Sequence, residues 1–199
     1  MNRMSDEHEL VRRCQEGDLQ AFRRLVERYE TRIYTLACSI MGDREAARDA
    51  AQEAFVRAYQ ALPGFRGQSG FYTWLYRIAV NTCLNAAHKE RRRLDRTSLD
   101  ALLEAGEISS ETLFGNAPAE TDLERSELQE GIQAVLNDLS PDHRAVIVLK
   151  DIEGLSQEEI ANALGCSVGT VKSRLSRARA HLKELLRPIY TEWIGSEPA

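Results

Sequence analysis

The stretch Gly154 to Leu186, GLSQEEIANALGCSVGTVKSRLSRARAHLKELL, decides how the chain is read. Ser156 followed three residues later by Glu159 is a capping box, whose hydroxyl and carboxylate give acceptors to the unpaired amides that open a helix. Ile160 and Leu164 share one face of that helix, Gly165 suits a left-handed cap, and Cys166-Ser167-Val168 makes a tight turn. A longer helix follows from Ser167. Its apolar stripe is Val171, Leu175, Ala178 and Leu182, so the opposite face carries the small residues Gly169, Ser173, Ser176 and Ala180. Lys172 and Arg179 flank this small stripe on one side and Arg177 on the other, which lets the helix axis approach a groove floor while cations reach phosphates on the rims. A plain helical hairpin with a solvated basic face shares the periodicity. The caps, the short turn and the small outward residues together favour a helix-turn-helix whose second helix reads DNA.

Over the longer span Pro141 to Arg179, the chain resembles the C-terminal domain of the extracytoplasmic-function (ECF, group IV) sigma factors, members of the sigma-70 family of bacterial RNA polymerase. The resemblance implies that Gly169, Lys172, Ser173, Ser176, Arg177 and Arg179 face the minus-35 promoter element.

With 199 residues the chain has room for two small helical domains. A net charge of −5 is unusual for a protein that binds DNA unaided, because Lys and Arg contacts to phosphate supply most non-specific affinity. The charge is unevenly spread. Residues 95–123 carry seven acidic side chains and one basic one. Local basic strips on an acidic chain suit a subunit that reads DNA while a larger partner holds it there. Cys14, Cys38, Cys83 and Cys166 form no C-x-x-C pair, so buried thiols are expected, with neither a zinc site nor a disulfide framework. The N-terminus MNRMSDEHEL lacks an apolar core, and no run reaches the ~18 apolar residues of a membrane span, so a cytoplasmic location without membrane insertion is expected.

Three helices are expected from Asp6 to Leu62, the first ending at Gly17, the second capped by Asp18 and stopped by Gly42, the third capped by Asp43 and ended by Pro63-Gly64. Phe22, Leu25, Val26, Tyr29, Ile33, Leu36 and Ile40 line the inner face of the second. Ala47, Ala51, Phe55, Ala58 and Leu62 do so in the third. The other face of the third helix presents Asp49, Glu53, Val56 and Gln60 with Gln52 beside them, a pattern that an ordinary solvated face also gives. The words DAAQEAFVRAYQALPGFRGQSGFYTWLYRIAVNT, residues 49–82, resemble the ECF sigma N-terminal domain. In that family the D-x-x-Q-E helix binds the clamp helices of the polymerase beta-prime subunit, which implies this role for Asp49, Gln52, Glu53 and Val56.

The loop Gly64-Phe65-Arg66-Gly67-Gln68-Ser69-Gly70 has no GK[ST] after it and is no phosphate-binding P-loop. The next helix, about Phe71 to Arg93, is expected to bury Phe71, Leu75, Ile78, Ala79 and Thr82 and to turn Thr73, Arg77, Val80, Asn81 and Leu84 outward. Aromatic and amide groups beside a flexible loop are what unpaired bases need, although Phe71 and Tyr72 suit a core equally well. The family resemblance implies that Phe65, Ser69, Phe71 and Asn81 hold a base flipped from the minus-10 element, with Trp74 and Arg77 near the junction of duplex and melted DNA. Lys89 to Arg93 is a basic helix end that fits either solvent or phosphate.

Residues 95–123 read as an acidic linker, with a short helical turn over Leu99 to Ala105, and in the family this connector threads the RNA-exit path of the polymerase. A helix from Leu123 to Leu139 with Leu128, Ile132, Val135 and Leu136 follows, then one opened by Ser140-Pro141. Residues 195–199 are expected to be disordered. The expected fold is therefore all-α: an N-terminal domain over 1–94, a linker over 95–123, a C-terminal helix-turn-helix domain over 124–190 and a tail over 191–199. The resemblance implies core RNA polymerase and promoter DNA as partners, an anti-sigma factor as regulator, no cofactor and no catalysis. A stand-alone helix-turn-helix repressor or activator accounts for residues 154–186 but leaves the D-x-x-Q-E face and the aromatic loop without purpose. No cluster of carboxylates, His or Cys stands at the spacing of a nucleic-acid enzyme.

Overall fold

A computed structural model describes the backbone of residues 3–104, 131 and 133–194, and the side chains of 6–94, 131 and 133–187. Every regular element among these residues is helical. Helix α1 is Arg3–Gln15, α2 Leu19–Met41 and α3 Arg44–Ala61, followed by a 3-10 turn at Leu62–Gly64 and by α4, Phe71–Glu104. Residues 133–137 are helical. Then come α5 (Pro141–Ile147), a π-turn over Val148–Ile152, α6 (Gln157–Leu164) and α7 (Val168–Ile194). The tail beyond residue 194, the part of the linker over 105–123, Leu128 and Ile132 lie outside the described residues.

Caps set these boundaries as the sequence indicates. The Asp18 carboxylate accepts from the amides of Gln20 and Ala21 at 2.9 and 3.1 Å, that of Asp43 from Ala46 at 2.7 Å. Ser140 Oγ accepts from the His143 amide, with Pro141 in the first turn where its missing N–H costs nothing. Gly42 ends α2 at φ +77°, and a Cβ there would lie 2.0 Å from Asn137 Oδ1 and 2.8 Å from Arg144 Nη1, so glycine is required both for the backbone and for close approach.

Helix α4 runs past the expected end near Arg93 to Glu104. Between Leu94 and Glu104 there is neither Gly nor Pro, and Gly106 is the first breaker. Acidic composition alone does not stop a helix.

In the first four helices and the 3-10 turn, Leu25, Ile33, Leu36, Ile40, Leu62 and Leu75 are fully buried, and α3 turns an alanine face inward, Ala47, Ala50, Ala51, Ala54 and Ala58, which lets that helix sit close. Phe22, Val26, Phe55 and Ile78 are half-buried at its margin. In the last three helices and the π-turn, Val146, Val148, Leu149, Ile160 and Val171 form the corresponding interior. The two sets meet: α4 packs against α5 and α6, and α2 against α5 and the π-turn, so the buried side chains form one continuous cluster. This overturns the outward assignment of Val80 and Leu84. Both are buried, because α4 has apolar stripes on two sides and the second is covered by the C-terminal helices. Burial pushes the Cys14 thiol up to about 11 and that of Cys83 up to about 12. Cys38 and Cys166 are half-buried.

Candidate nucleic-acid interface

Helix α6 opens with the full capping box: Glu159 N donates to Ser156 Oγ at 3.2 Å and Ser156 N to Glu159 Oε2 at 2.8 Å. Those bonds hold the Glu159 carboxyl below its ordinary range. Gly165, at φ +62°, caps the helix, and its amide donates to the Ala161 carbonyl. Ser167 then caps α7 by accepting from the Thr170 amide at 3.0 Å. The turn is thus fixed at both ends, and Val171, Leu175 and Ala178 lock α7 onto the domain.

Gly169, Lys172, Ser173, Ser176, Arg177, Arg179 and Ala180 are all exposed on the other side, as the period requires. Ser173 Oγ donates back to the Thr170 carbonyl at 2.9 Å. Arg179 reaches the Asp151 carboxylate with Nη2 at 2.6 Å, which raises its affinity for a proton. Arg174, unremarked in the sequence, pairs with Asp142 at 3.0 Å, and His88 of α4 approaches the same carboxylate at 3.4 Å. Asp142 therefore ties α7 to α4. Burial, together with nearby Arg177, lowers the proton affinity of His143 beside it.

On the N-terminal domain the face of α3 presents Asp49, Gln52, Glu53 and Val56 to solvent, with Val56 among the few large apolar residues exposed among the described ones. Glu53 pairs with Arg57 one turn on at 2.7 Å. Gln52 also lines a groove of about 480 Å³ with Val26, Tyr34, Arg48, Ala51 and Phe55. An apolar floor with a polar rim extends this face toward α2.

The loop and α4 form a third surface. Phe65, Phe71 and Trp74 pack as a ring cluster, with centroids 5.0 Å apart for Phe65 and Trp74 and 5.6 Å for Phe71 and Trp74. Phe71 is only 3 % exposed and lies beneath the other two, so it supports the rings and presents no face to a base. Ser69 and Arg77 are exposed, Phe65 and Trp74 half-buried. A cleft of about 270 Å³ runs between Ser69, Thr73, Trp74 and Arg77 on one wall and Glu159 and Asn162 on the other.

Asn81 is half-buried and departs from the expected outward place. Its amide donates to the Arg77 carbonyl at 2.8 Å and to the Ala163 carbonyl, near the end of α6, at 2.9 Å. The residue therefore joins the two domains here. Arg144 makes a second such joint, missed in the sequence. It is 8 % exposed and donates to the Ile40 carbonyl of α2 at 3.0 Å and to the Asn137 and Leu139 carbonyls at 2.8 and 3.3 Å.

Comparison with known proteins matches two separate segments of the chain. Residues 25–93 match the family described as Sigma-70 region 2, and residues 129–182 match Sigma-70, region 4. The RNA polymerase sigma-H factor of Pseudomonas aeruginosa is 40% identical over 189 residues, 94% of this chain and 96% of that one. The ECF RNA polymerase sigma-E factor of Escherichia coli K12 is 39% identical over 180 residues, 90% and 94% of the two chains. Among solved structures, CnrH in complex with the cytosolic domain of CnrY is 29% identical with a TM-score of 0.60 over 92% of this chain and 98% of that one. The sigma factor RpoE in complex with the anti-sigma factor NepR, from Bartonella quintana, is 28% identical with a TM-score of 0.59, covering 85% and 98%. With a region 2 that carries the α3 face and the aromatic loop, and a region 4 that carries the helix-turn-helix, the chain belongs to the ECF sigma factors of the sigma-70 family.

Proposed function

We propose that this sigma factor acts as a non-catalytic initiation subunit, in the cytoplasm where the polymerase works, and that residues 1–94, 95–123 and 124–190 divide the task. Asp49, Gln52, Glu53 and Val56 dock on the beta-prime clamp helices of core RNA polymerase, and the acidic segment follows the RNA-exit path. Lys172, Arg177 and Arg179 grip phosphates while Gly169, Ser173 and Ser176 approach the floor of the minus-35 major groove. Phe65, Ser69, Trp74, Arg77 and Asn81 take an unstacked minus-10 base, with Phe71 supporting the rings from below. Binding energy from a captured base offsets the few kcal/mol, roughly, that unstacking costs, so promoter opening needs no nucleotide hydrolysis by this subunit. The presence of NepR, an anti-sigma factor, on one solved relative supports regulation of the same kind here.

The observation that carries this reading is a ring-bearing loop and a helix-turn-helix on one chain, beside an exposed acidic and apolar face of α3. Both hydrogen bonds that Asn81 donates run to backbone carbonyls, one of them in α6, so donation to a base edge requires that the Ala163 contact be released. The test is transcription by core polymerase with this chain over a randomised promoter library, with permanganate footprinting of the bubble. Asn81→Ala is expected to keep core and minus-35 binding and to lose about ten- to a hundredfold in discrimination at one minus-10 base, the worth of an edge contact. Normal melting with unchanged base preference would remove Asn81 from the pocket. Absence of any start site dependent on this chain would overturn the whole reading.

A further inference from the structure

The loop that bears Phe65 is anchored by a side chain from a distant part of the chain. Gln15, the last residue of α1, donates through Nε2 to the Leu62 carbonyl at 3.1 Å and to the Phe65 carbonyl at 2.8 Å. The Leu62 carbonyl also accepts from the Phe65 amide at 3.0 Å, which closes the 3-10 turn. One carboxamide nitrogen has two hydrogens to give, and two carbonyls that bracket the turn receive them. At the other end of the loop, the Trp74 amide donates to the Gly70 carbonyl at 3.1 Å. Residues 66–70 between these anchors are exposed, and Gly67 bends them at φ +67°.

The two anchors differ in kind. The second belongs to the first turn of α4 and forms wherever that helix forms. The first depends on a single exposed side chain outside region 2 as matched, since that match begins at residue 25. Its position decides where the Phe65 carbonyl points, and through the backbone where the Phe65 ring meets Trp74 at 5.0 Å and Phe71 at 6.1 Å. An unstacked base is selected only if rings and edge donors are held at fixed spacing, because a loose pocket accepts any base by stacking alone.

We propose that Gln15 is a positioning residue for minus-10 recognition: its amide, donating to Leu62 and Phe65, sets the loop in the register that discriminates between bases. It touches no DNA itself. The proposal rests on the reading that this loop takes the minus-10 element, and the experiment separates the two. Holoenzymes made with the wild-type chain, Gln15→Leu, Gln15→Glu and Trp74→Ala are each run over a randomised promoter library with core polymerase. Core affinity and thermal unfolding of the free chain are measured beside them. Gln15→Leu removes both donors at similar size, and Gln15→Glu keeps the shape while facing the carbonyls with acceptors only.

Both Gln15 variants are expected to lower minus-10 base discrimination about tenfold, as the loss of two modest hydrogen bonds allows, with minus-35 preference and core affinity unchanged. A purely structural clip on α1 would shift the unfolding midpoint and leave base preference as it was. That outcome overturns the proposal, as does an equal fall in minus-10, minus-35 and core binding, which would mark a general folding defect. Discrimination lost in Trp74→Ala but intact in both Gln15 variants defeats the role of Gln15 while leaving the loop as the reader. Intact discrimination in all three would defeat both statements.

Discussion

Replacing Arg144 by Met should weaken the joint between the two domains by an amount that can be worked from its bonds. The guanidinium donates to carbonyls of Ile40, Asn137 and Leu139, and the contacts to Ile40 and Leu139 are buried. The Ile40 carbonyl belongs to the last turn of α2, which has no intrahelical partner to offer it. Met has similar length and fills the space without a donor, so two buried acceptors go unpaired at about 1–3 kcal/mol each. Against that, the variant no longer buries a cation. The cost of doing so is visible in the lowered proton affinity of Arg144, caused first by burial, and in a buried Nε that meets no acceptor. The net loss should be about 2 kcal/mol, which for a chain of this size lowers the melting temperature by roughly 4–8 °C. Urea unfolding of the free chain, followed by circular dichroism, measures it. Because Ile40 and Arg144 lie on different domains, the variant should also separate one transition into two. A variant as stable as the parent, unfolding in one step, would show that burying the charge costs as much as its bonds return and that other contacts couple the domains.

Reversing the charge of Glu53 with Lys should weaken binding to core polymerase by about tenfold or more while leaving helicity intact, since the fold loses only an exposed pair with Arg57 worth about 0.5 kcal/mol. Unchanged affinity in a titration with core enzyme would take α3 out of the interface. In the recognition helix, Lys172→Ala and Arg177→Ala should each lower minus-35 affinity and flatten its salt dependence by about one unit of slope. Ser173→Leu and Ser176→Leu should change the preferred sequence in a binding selection, and no change in either would place this stripe outside the groove. Asp151→Asn should raise the affinity of the free chain for duplex DNA severalfold by releasing Arg179 from its 2.6 Å partner; equal affinity would mean that Arg179 does not reach phosphate.

What the sequence revealed about the fold was local. Asp18, Asp43, Ser140 and Ser156 announced helix starts because a short acceptor side chain at such a position bonds the next free amides, whatever the rest of the molecule does. Positions on α4 are less plain, because one helical stripe accounts for only one buried face. Tyr76, Val80 and Leu84 stand at intervals of four and form a second stripe, and all three are buried. That pattern was present in the residues and indicates a helix with neighbours on two sides. Arg144 offered a weaker sign, a lone cation ahead of the apolar run Ala145 to Leu149, but its acceptors are backbone carbonyls, one of them 104 positions away, and no side-chain pattern announces a carbonyl. The same limit hid Gln15. It also made Asn81 look idle, since its partner Ala163 has an unremarkable side chain and contributes only its backbone oxygen.

The charges explain why a DNA-reading chain can be acidic. Many of its exposed guanidinium groups are matched to carboxylates close by: Arg12 with Glu9, Arg23 with Glu27, Arg57 with Glu53 and Arg179 with Asp151. Exposed pairs of this kind add little to stability, because solvent and salt screen them. Their effect on the surrounding field is larger. A cation held beside an anion presents a dipole to a distant phosphate, and the attraction that drives non-specific DNA binding falls accordingly. Within the recognition helix, only at contact distance can a phosphate compete with Asp151 for Arg179, and that distance is reached once something else has brought promoter and helix together. A sigma factor has such a carrier in the polymerase. Weak attraction to DNA in general then keeps the free chain from being dispersed over the chromosome, and on the proposed reading selectivity is left to the few groups assigned to bases, the small face of α7 and the loop that Gln15 anchors.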